Sequence, residues 1–210
     1  MTLGDFMDKT RLDQQFAFIK EIDQEKMIKR QTLLTDKKTR ENDAEHAWHV
    51  AMMALLLNEY ANEKIDVLKT IGMLLIHDLV EIKAGDTYAY DEVGKQTQKQ
   101  RELMAADAIF GMLPNDQSMQ MRTLWEEFEA IESAEAKFAR AMDCIQPMML
   151  NDATDGQLWI KNQICLSQVM KRNEKVSLGS EKLWEYAYDT FIAPNVVSGK
   201  IIDDRKEDEK

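Results

Sequence analysis

The stretch GMLLIHDLVEIKAGD, residues 72–86, decides how the rest of the chain is read. Met-Leu-Leu-Ile leads in and Leu-Val continues, so it reads as a buried helix that ends at Gly85. Its centre carries His77 and Asp78 side by side, with Glu81 one turn later. Burying a polar group without a partner costs roughly 2–7 kcal/mol, and burying a charge costs more. A bound cation offsets that cost directly. The first expectation is therefore a metal site that starts here and is completed from elsewhere in the chain.

Working outward, the chain predicts mostly helix, since 210 residues hold only 8 Gly and 3 Pro. Residues 12–30 place Leu12, Phe16, Ile19, Ile22, Met27 and Ile28 near helical spacing. Residues 31–40 read as a polar connection, and Asn42 or Asp43 as the N-cap of a helix rich in Ala, Leu and Met over 44–61. Asp66 caps the helix that carries the opening stretch, and 86–94 reads as a loop placed to close over a substrate. Helices follow over 95–113, 116–131, 134–150 with Ser133 as cap, 157–171 and 180–192. The reading is an all-α, single-domain bundle of about eight helices over 12–195, with 1–11 and 203–210 as flexible tails.

Charge and composition narrow the partners. The net charge is -11 and no basic stripe is visible, which argues against duplex nucleic acid and anionic lipid. Residues 1–9 hold no apolar signal core, and no run reaches the 18 or so apolar residues of a membrane span. Cys144 and Cys165 lie in apolar helical runs and read as small core residues. A cytoplasmic, reducing compartment is expected. An anionic small substrate needs a cation or local Arg/Lys to invert the field at its site.

The three histidines, His46, His49 and His77, fall close together in the sequence. His46 and His49 share a helix face, and each also reads as an ordinary core or surface histidine. Imidazole suits Mn, Fe, Co, Ni and Zn, and carboxylate adds preference for harder ions, with Mg possible. Two histidines and Asp78 leave a ligand missing. Asp143, in the apolar run AKFARAMDCIQPMML (136–150), is the candidate; the alternative is a pair with Arg140 or another basic group. With so few histidines, one metal is expected, and His49 reads as a support or interhelical contact. Met52, Met53, Met73, Met142, Met148 and Met149 read as packing rather than a soft-metal site.

At this point a family resemblance emerges. Glu45-His46, His77-Asp78 and Asp143 resemble the H…HD…D signature of the HD-domain phosphohydrolases. HDLVEIKAGD (77–86) is similar to the HD-x-x-E-x-x-x-G-D segment of the 5'-deoxynucleotidase branch. ENDAEHAWHVAMMA (41–54) resembles its first motif and EEFEAIESAEAKFARAMD (126–143) its closing one. The resemblance covers residues 12–172; an HD pair alone is common, whereas three motifs in order are specific. It implies that His46, His77, Asp78 and Asp143 ligate one divalent metal, with His46 and Asp143 also bordering the substrate. It implies Glu81 as acid/base group, and Asp86 and Thr87 on the nucleotide's sugar and phosphate, Asp86 within the catalytic set. Arg30 matches an arginine that orients the phosphate, a role Lys29 also suits. Gln31 stands where the family's deoxynucleotidases commonly carry Trp, which bears on base stacking. Relatives imply a homodimer.

The chemistry expected is hydrolysis of (deoxy)nucleoside 5'-monophosphates to nucleoside and phosphate. A divalent ion lowers the pKa of bound water toward about 7 and polarises a phosphoryl oxygen. Arg30 adds a permanently charged planar donor. Glu81 protonates the leaving 5'-oxygen, or else supports a metal-bound histidine. Two other readings stay open: a nucleoside triphosphate or cyclic nucleotide hydrolase, and a non-catalytic metal- or nucleotide-binding regulator.

Overall fold

The computed structural model describes residues 3–85 and 95–206. Helix α1 (Leu3–Glu21) runs into a 3₁₀ turn over Ile22–Met27. An antiparallel pair follows, β1 (Lys29–Leu33) with β2 (Arg40–Asn42), Lys29 opposite Asn42 and Leu33 opposite Arg40. Residues 31–40, expected as a polar connection, are thus part of a hairpin, and 12–30 is not one helix. The turn chemistry explains the hairpin. Asp36 accepts from the backbone N–H groups of Lys38 and Thr39 at 2.9 and 2.8 Å, and the Leu34 N–H donates to the Thr39 carbonyl at 2.8 Å.

Helix α2 (Asp43–Leu57) starts on a reciprocal cap. The Asn42 side chain accepts the Glu45 N–H and the Glu45 carboxylate accepts the Asn42 N–H, both at 2.9 Å. Such caps contribute about 1 kcal/mol. A 3₁₀ turn at Asn58–Tyr60 leads to α3 (Val67–Ile76), capped by Asp66 as expected.

The deciding stretch is not one continuous helix. Helix α3 stops at Ile76, residues 77–80 form tight turns, and α4 (Glu81–Ala84) resumes before Gly85 ends it at φ 78°. The His77 ring supplies a reason. Its Nδ1–H donates to the Leu74 carbonyl at 2.7 Å, the acceptor a continuing helix offers to the Asp78 N–H. The backbone instead makes three-residue bonds, Leu79 to Ile76 at 3.2 Å and Glu81 to Asp78 at 2.8 Å.

Then come α5 (Lys95–Phe110), α6 (Asn115–Ala130) and α7 (Ala134–Ala153), the last capped by Ser133. Residues 157–171 form two helices, α8 (Gln157–Lys161) and α9 (Leu166–Arg172), rather than one. Between them Gln163 takes φ 51°, and Cys165 bridges to Ile202, with Leu166 N–H donating to the Ile202 carbonyl at 2.8 Å. A helix cannot offer those groups to a neighbouring strand. Helices α10 (Val176–Gly179), α11 (Glu181–Ala187) and α12 (Ala193–Val197) finish the bundle, with a π-helical turn at Tyr188–Ile192. Asp204 then accepts from the Ser167 N–H at 3.1 Å and from its hydroxyl.

Helix α7 is the axis, packed on α2, α3, α6 and α10. Val50, Met73, Leu74, Phe138 and Met142 are fully buried around it. Its approach to α10 requires Gly179, where a Cβ would lie 2.3 Å from the Lys137 carbonyl oxygen. A second cluster of Ile76, Leu79, Val80, Ile109, Phe110 and Trp125 ties the deciding stretch to α5 and α6. The outcome is an all-helical domain with one small sheet, in which α2, α3 and α7 meet at the centre. Among the described residues no helix is long and apolar enough to cross a membrane.

Candidate metal centre

His46, His77 and Asp143 come together where these three helices meet. One ligand atom from each of His46, His77 and Asp143 lies within 4.8 Å of the others, all three residues buried. The His46 and His77 rings are 5.4 Å apart, and His77 leans on Phe128 at 5.1 Å. Asp143 Oδ1 is 3.2 Å from His46 Nε2 and 3.8 Å from His77 Nε2. Asp78 stands beside them, its Oδ2 3.1 Å from His77 Nε2.

Proton positions test whether these groups suit a cation. His77 Nδ1–H is committed to the Leu74 carbonyl. His46 Nδ1 faces Gln146 Oε1 at 3.1 Å, and the Gln146 amide is oriented because its Nε2 donates to Glu41. Both imidazoles in their neutral form therefore turn an Nε2 lone pair toward the Asp143 and Asp78 oxygens. Acceptor set against acceptor in a buried space needs a positive charge between them. His77 Nε2 has no hydrogen-bond partner among the described residues. The donor set of two nitrogens and carboxylate oxygens fits a divalent transition ion.

The electrostatics point the same way. Burial alone pulls the His77 pKa down, but the Asp78 and Asp143 carboxylates outweigh it and push it up to about 9. Burial would raise Asp143, yet the His46 hydrogen bond, Arg140 and Arg172 hold it well below the usual carboxylate range. Asp78 is lowered likewise by His77 and Arg30 against its own burial. Without metal, a proton on imidazole supplies the missing positive charge.

Arg30, from β1, puts Nη1 2.7 Å from Asp78 Oδ2 and 3.2 Å from Asp43 Oδ1. Asp143 Oδ2 is met by Arg140 at 3.0 Å and approached by Arg172 at 3.9 Å. The Arg140 pairing and the histidine cluster, posed as alternatives for Asp143, thus coexist. The Arg140 guanidinium carbon also sits over Phe128, 4.3 Å from the ring centre. A cavity of ≈ 230 Å³ opens here, bordered by Arg30, Gln31, His77, Asp78, Glu81 and Asp143. His49 is not in the cluster; its Nδ1 lies 3.1 Å from Gln146 Nε2. Asp86 and Thr87 lie outside the described residues.

Sequence reasoning missed Gln146, Glu41, Asp43, Glu25 and Arg172. Gln146 carried a readable signal, an amide between Ile145 and Pro147 in an apolar run. It is fully buried and touches His46, His49 and Glu41 at once. Arg172 gave none, since a basic residue in a last helical turn reads as solvated.

Fold and site together define an all-helical protein with a divalent-metal centre. The HD domain family model matches residues 22–184, and the chain belongs to that family. The 5'-deoxynucleotidase HDDC2 of Homo sapiens is 31% identical over 103 residues, 49% of each chain. That of Danio rerio is 30% identical over 136 residues, 64% of this chain and 66% of the relative. The chain spans about half the length of the human relative it matches. A solved structure from Magnetospirillum magnetotacticum, described as a predicted metal-dependent phosphohydrolase, superposes with a TM-score of 0.86 at 45% identity, covering 91% of this chain and 95% of that one.

Proposed function

We propose that the protein is a metal-dependent 5'-nucleotidase that releases phosphate from nucleoside 5'-monophosphates, deoxynucleotides included. One observation carries the reading: two imidazoles with Nδ1 tied off aim Nε2 lone pairs at Asp143, beside a cavity that holds arginine and glutamate. The HDDC2 relatives, named 5'-deoxynucleotidases, support the substrate class.

His46, His77, Asp78 and Asp143 would hold one Mn, Co, Fe, Ni or Zn ion, with Mg possible. Such an ion supplies a water nucleophile at neutral pH and neutralises phosphoryl charge. Arg30 donates to the phosphate and fixes its orientation, exchanging part of its pairing with Asp78 and Asp43. Asp86 and Thr87 follow Gly85 and contact the sugar and phosphate in this reading. As water oxygen bonds to phosphorus and the P–O5' bond breaks, Glu81 hands a proton to the departing 5'-oxygen, leaving nucleoside and phosphate.

A homodimer and a cytoplasmic setting belong to the same reading. Every exposed position of α2 between Ala47 and Leu57 is apolar: Trp48, Met52, Leu55 and Leu56. Such a stripe supports pairing with a second copy. Cys144 and Cys165 are unpaired, as a reducing compartment requires.

The test is phosphate release. Protein stripped of metal and reloaded with Mn or Co is given a panel of ribo- and deoxynucleoside 5'-monophosphates. Release that disappears on chelation supports the reading; no release from any nucleotide with any metal contradicts it.

A further inference from the structure

Asp143 divides its two carboxylate oxygens between two kinds of neighbour. Oδ1 faces the imidazoles, 3.2 Å from His46 Nε2 and 3.8 Å from His77 Nε2. Oδ2 faces guanidinium groups, Arg140 Nη1 at 3.0 Å and Arg172 Nη2 at 3.9 Å. The three arginines that border the cavity differ in how far they are committed. Arg30 shares Nη1 between Asp78 and Asp43, and its Nε is buried 3.7 Å from Glu41. Arg140 gives Nη1 to Asp143 and Nη2 to Glu129, and its Nε is buried too. The Arg172 guanidinium makes no hydrogen bond among the described residues, since 3.9 Å to Asp143 is too long for one. Its side chain is 34% exposed, against 14% for Arg30 and 17% for Arg140. Arg172 is thus the cation at this centre whose donors are open.

The backbone beneath it is anchored. Leu166, Val169 and Asn173 are buried, and Asn173 Nδ2 donates to the Val169 carbonyl at 2.8 Å where α9 ends. A basic residue in a last turn ordinarily serves its own helix's free carbonyls or stays in solvent. Arg172 instead reaches across to Asp143 on α7.

We propose that Arg172 is a second phosphate-binding residue, whose guanidinium takes the phosphoryl oxygens of the substrate beside Asp143. The inference rests on the nucleotidase reading, which puts a phosphoryl group next to that carboxylate. Arg30 has to exchange hydrogen bonds with Asp78 and Asp43 to meet a phosphate; Arg172 surrenders none. Its planar fork matches two phosphoryl oxygens at once. Carboxylates also border the cavity, so the divalent ion stays necessary and Arg172 adds to it.

The experiment titrates inorganic phosphate into the metal-loaded full chain by calorimetry, for wild type, Arg172→Ala and Arg172→Lys, with metal content measured on the same samples. Arg172→Ala is expected to bind phosphate about 10- to 100-fold more weakly, the range of a lost hydrogen bond to a charged group. It keeps its ion, because removing a positive charge beside Asp143 does not loosen a cation. The KM for nucleoside monophosphates rises by a similar factor. Arg172→Lys restores the charge without the fork and recovers part of the affinity. Wild-type phosphate affinity in Arg172→Ala overturns the assignment. So does loss of the ion in that variant, which makes Arg172 a support for Asp143 instead. Wild-type protein that binds phosphate through Arg172 yet releases none from any nucleotide overturns the nucleotidase reading and leaves the phosphate contact standing.

Discussion

His77 shows how one backbone hydrogen bond prepares a ligand. By giving Nδ1–H to Leu74, the ring presents Nε2 to the cluster and ends α3 at the same point. Removing it strips the centre of a nitrogen, so His77→Ala is expected to lose bound metal and at least about 100-fold in activity. Glu81→Gln is expected to keep its metal and lose about 10²–10⁴ in kcat, the range a positioned proton donor contributes. Metal analysis beside initial rates separates the two; a Glu81→Gln protein of full activity would remove its acid role.

Glu25 gives a prediction of stability at the same scale. It is buried in the 3₁₀ turn after α1, and its Oε1 has no hydrogen-bond partner among the described residues. Burial first, then the Asp78 and Asp43 charges, raise its pKa from 4.5 to about 7. The folded protein therefore keeps a proton that the unfolded chain releases near 4.5. Between those values the native state binds more protons, so stability falls as pH rises through the window. In chelator-treated protein, Glu25→Gln is expected to add up to about 3 kcal/mol near pH 8 and little near pH 4. Urea unfolding at both values checks it, and parallel pH profiles for the two proteins would refute it.

What was legible at this scale followed from contrast. His77, Asp78 and Asp143 are ionisable groups set in apolar helical runs, and that mismatch is visible without coordinates. Gln146 offered a weaker contrast because a neutral amide is cheaper to bury than a charge. Glu25 was hidden because Asp-Gln-Glu-Lys reads as a solvated run, and only the 3₁₀ turn directs it inward.

At the scale of elements, caps and tight approaches decide the geometry. Asn42, Asp66 and Ser133 were readable as caps, and each accepts a bond from the third residue of its helix. The broken elements were not readable. The interruption at His77 depends on a ring bonding to its own helix, and the split at 162–165 on pairing with Ile202, distant in sequence. The β1–β2 hairpin was missed because its residues are polar, although Asp36 before two lysines and Thr39 held the turn signal. Gly179 tests the packing: Gly179→Ala forces backbone against the Lys137 carbonyl and is expected to cost about 1–3 kcal/mol. Thermal unfolding reads this directly, and an unchanged midpoint would contradict the close α7–α10 contact.

At the scale of the molecule, charge and surface frame the function. The chain carries a net charge of -11, yet Arg30, Arg140 and Arg172 all border the cavity. Asp78, Glu81, Glu102, Glu129 and Asp143 border it too, so the arginines alone leave the lining negative, and a bound divalent cation is what an anionic substrate requires there. The apolar stripe of α2 gives the assembly its own test. Trp48 is 63% and Leu56 67% exposed in the single chain, and Trp48→Glu is expected to convert a dimer to monomer by light scattering. A wild-type monomer at working concentration would remove the homodimer from the account.

The central claim is a divalent ion held by His46, His77, Asp78 and Asp143 and used to release phosphate. The most direct measurement is metal content and phosphate release, determined together on wild-type and Asp143→Asn protein. The account predicts about one ion per wild-type chain and chelator-sensitive release, with both lost in the variant. Wild-type protein that hydrolyses nucleotides at full rate with no bound ion would contradict it.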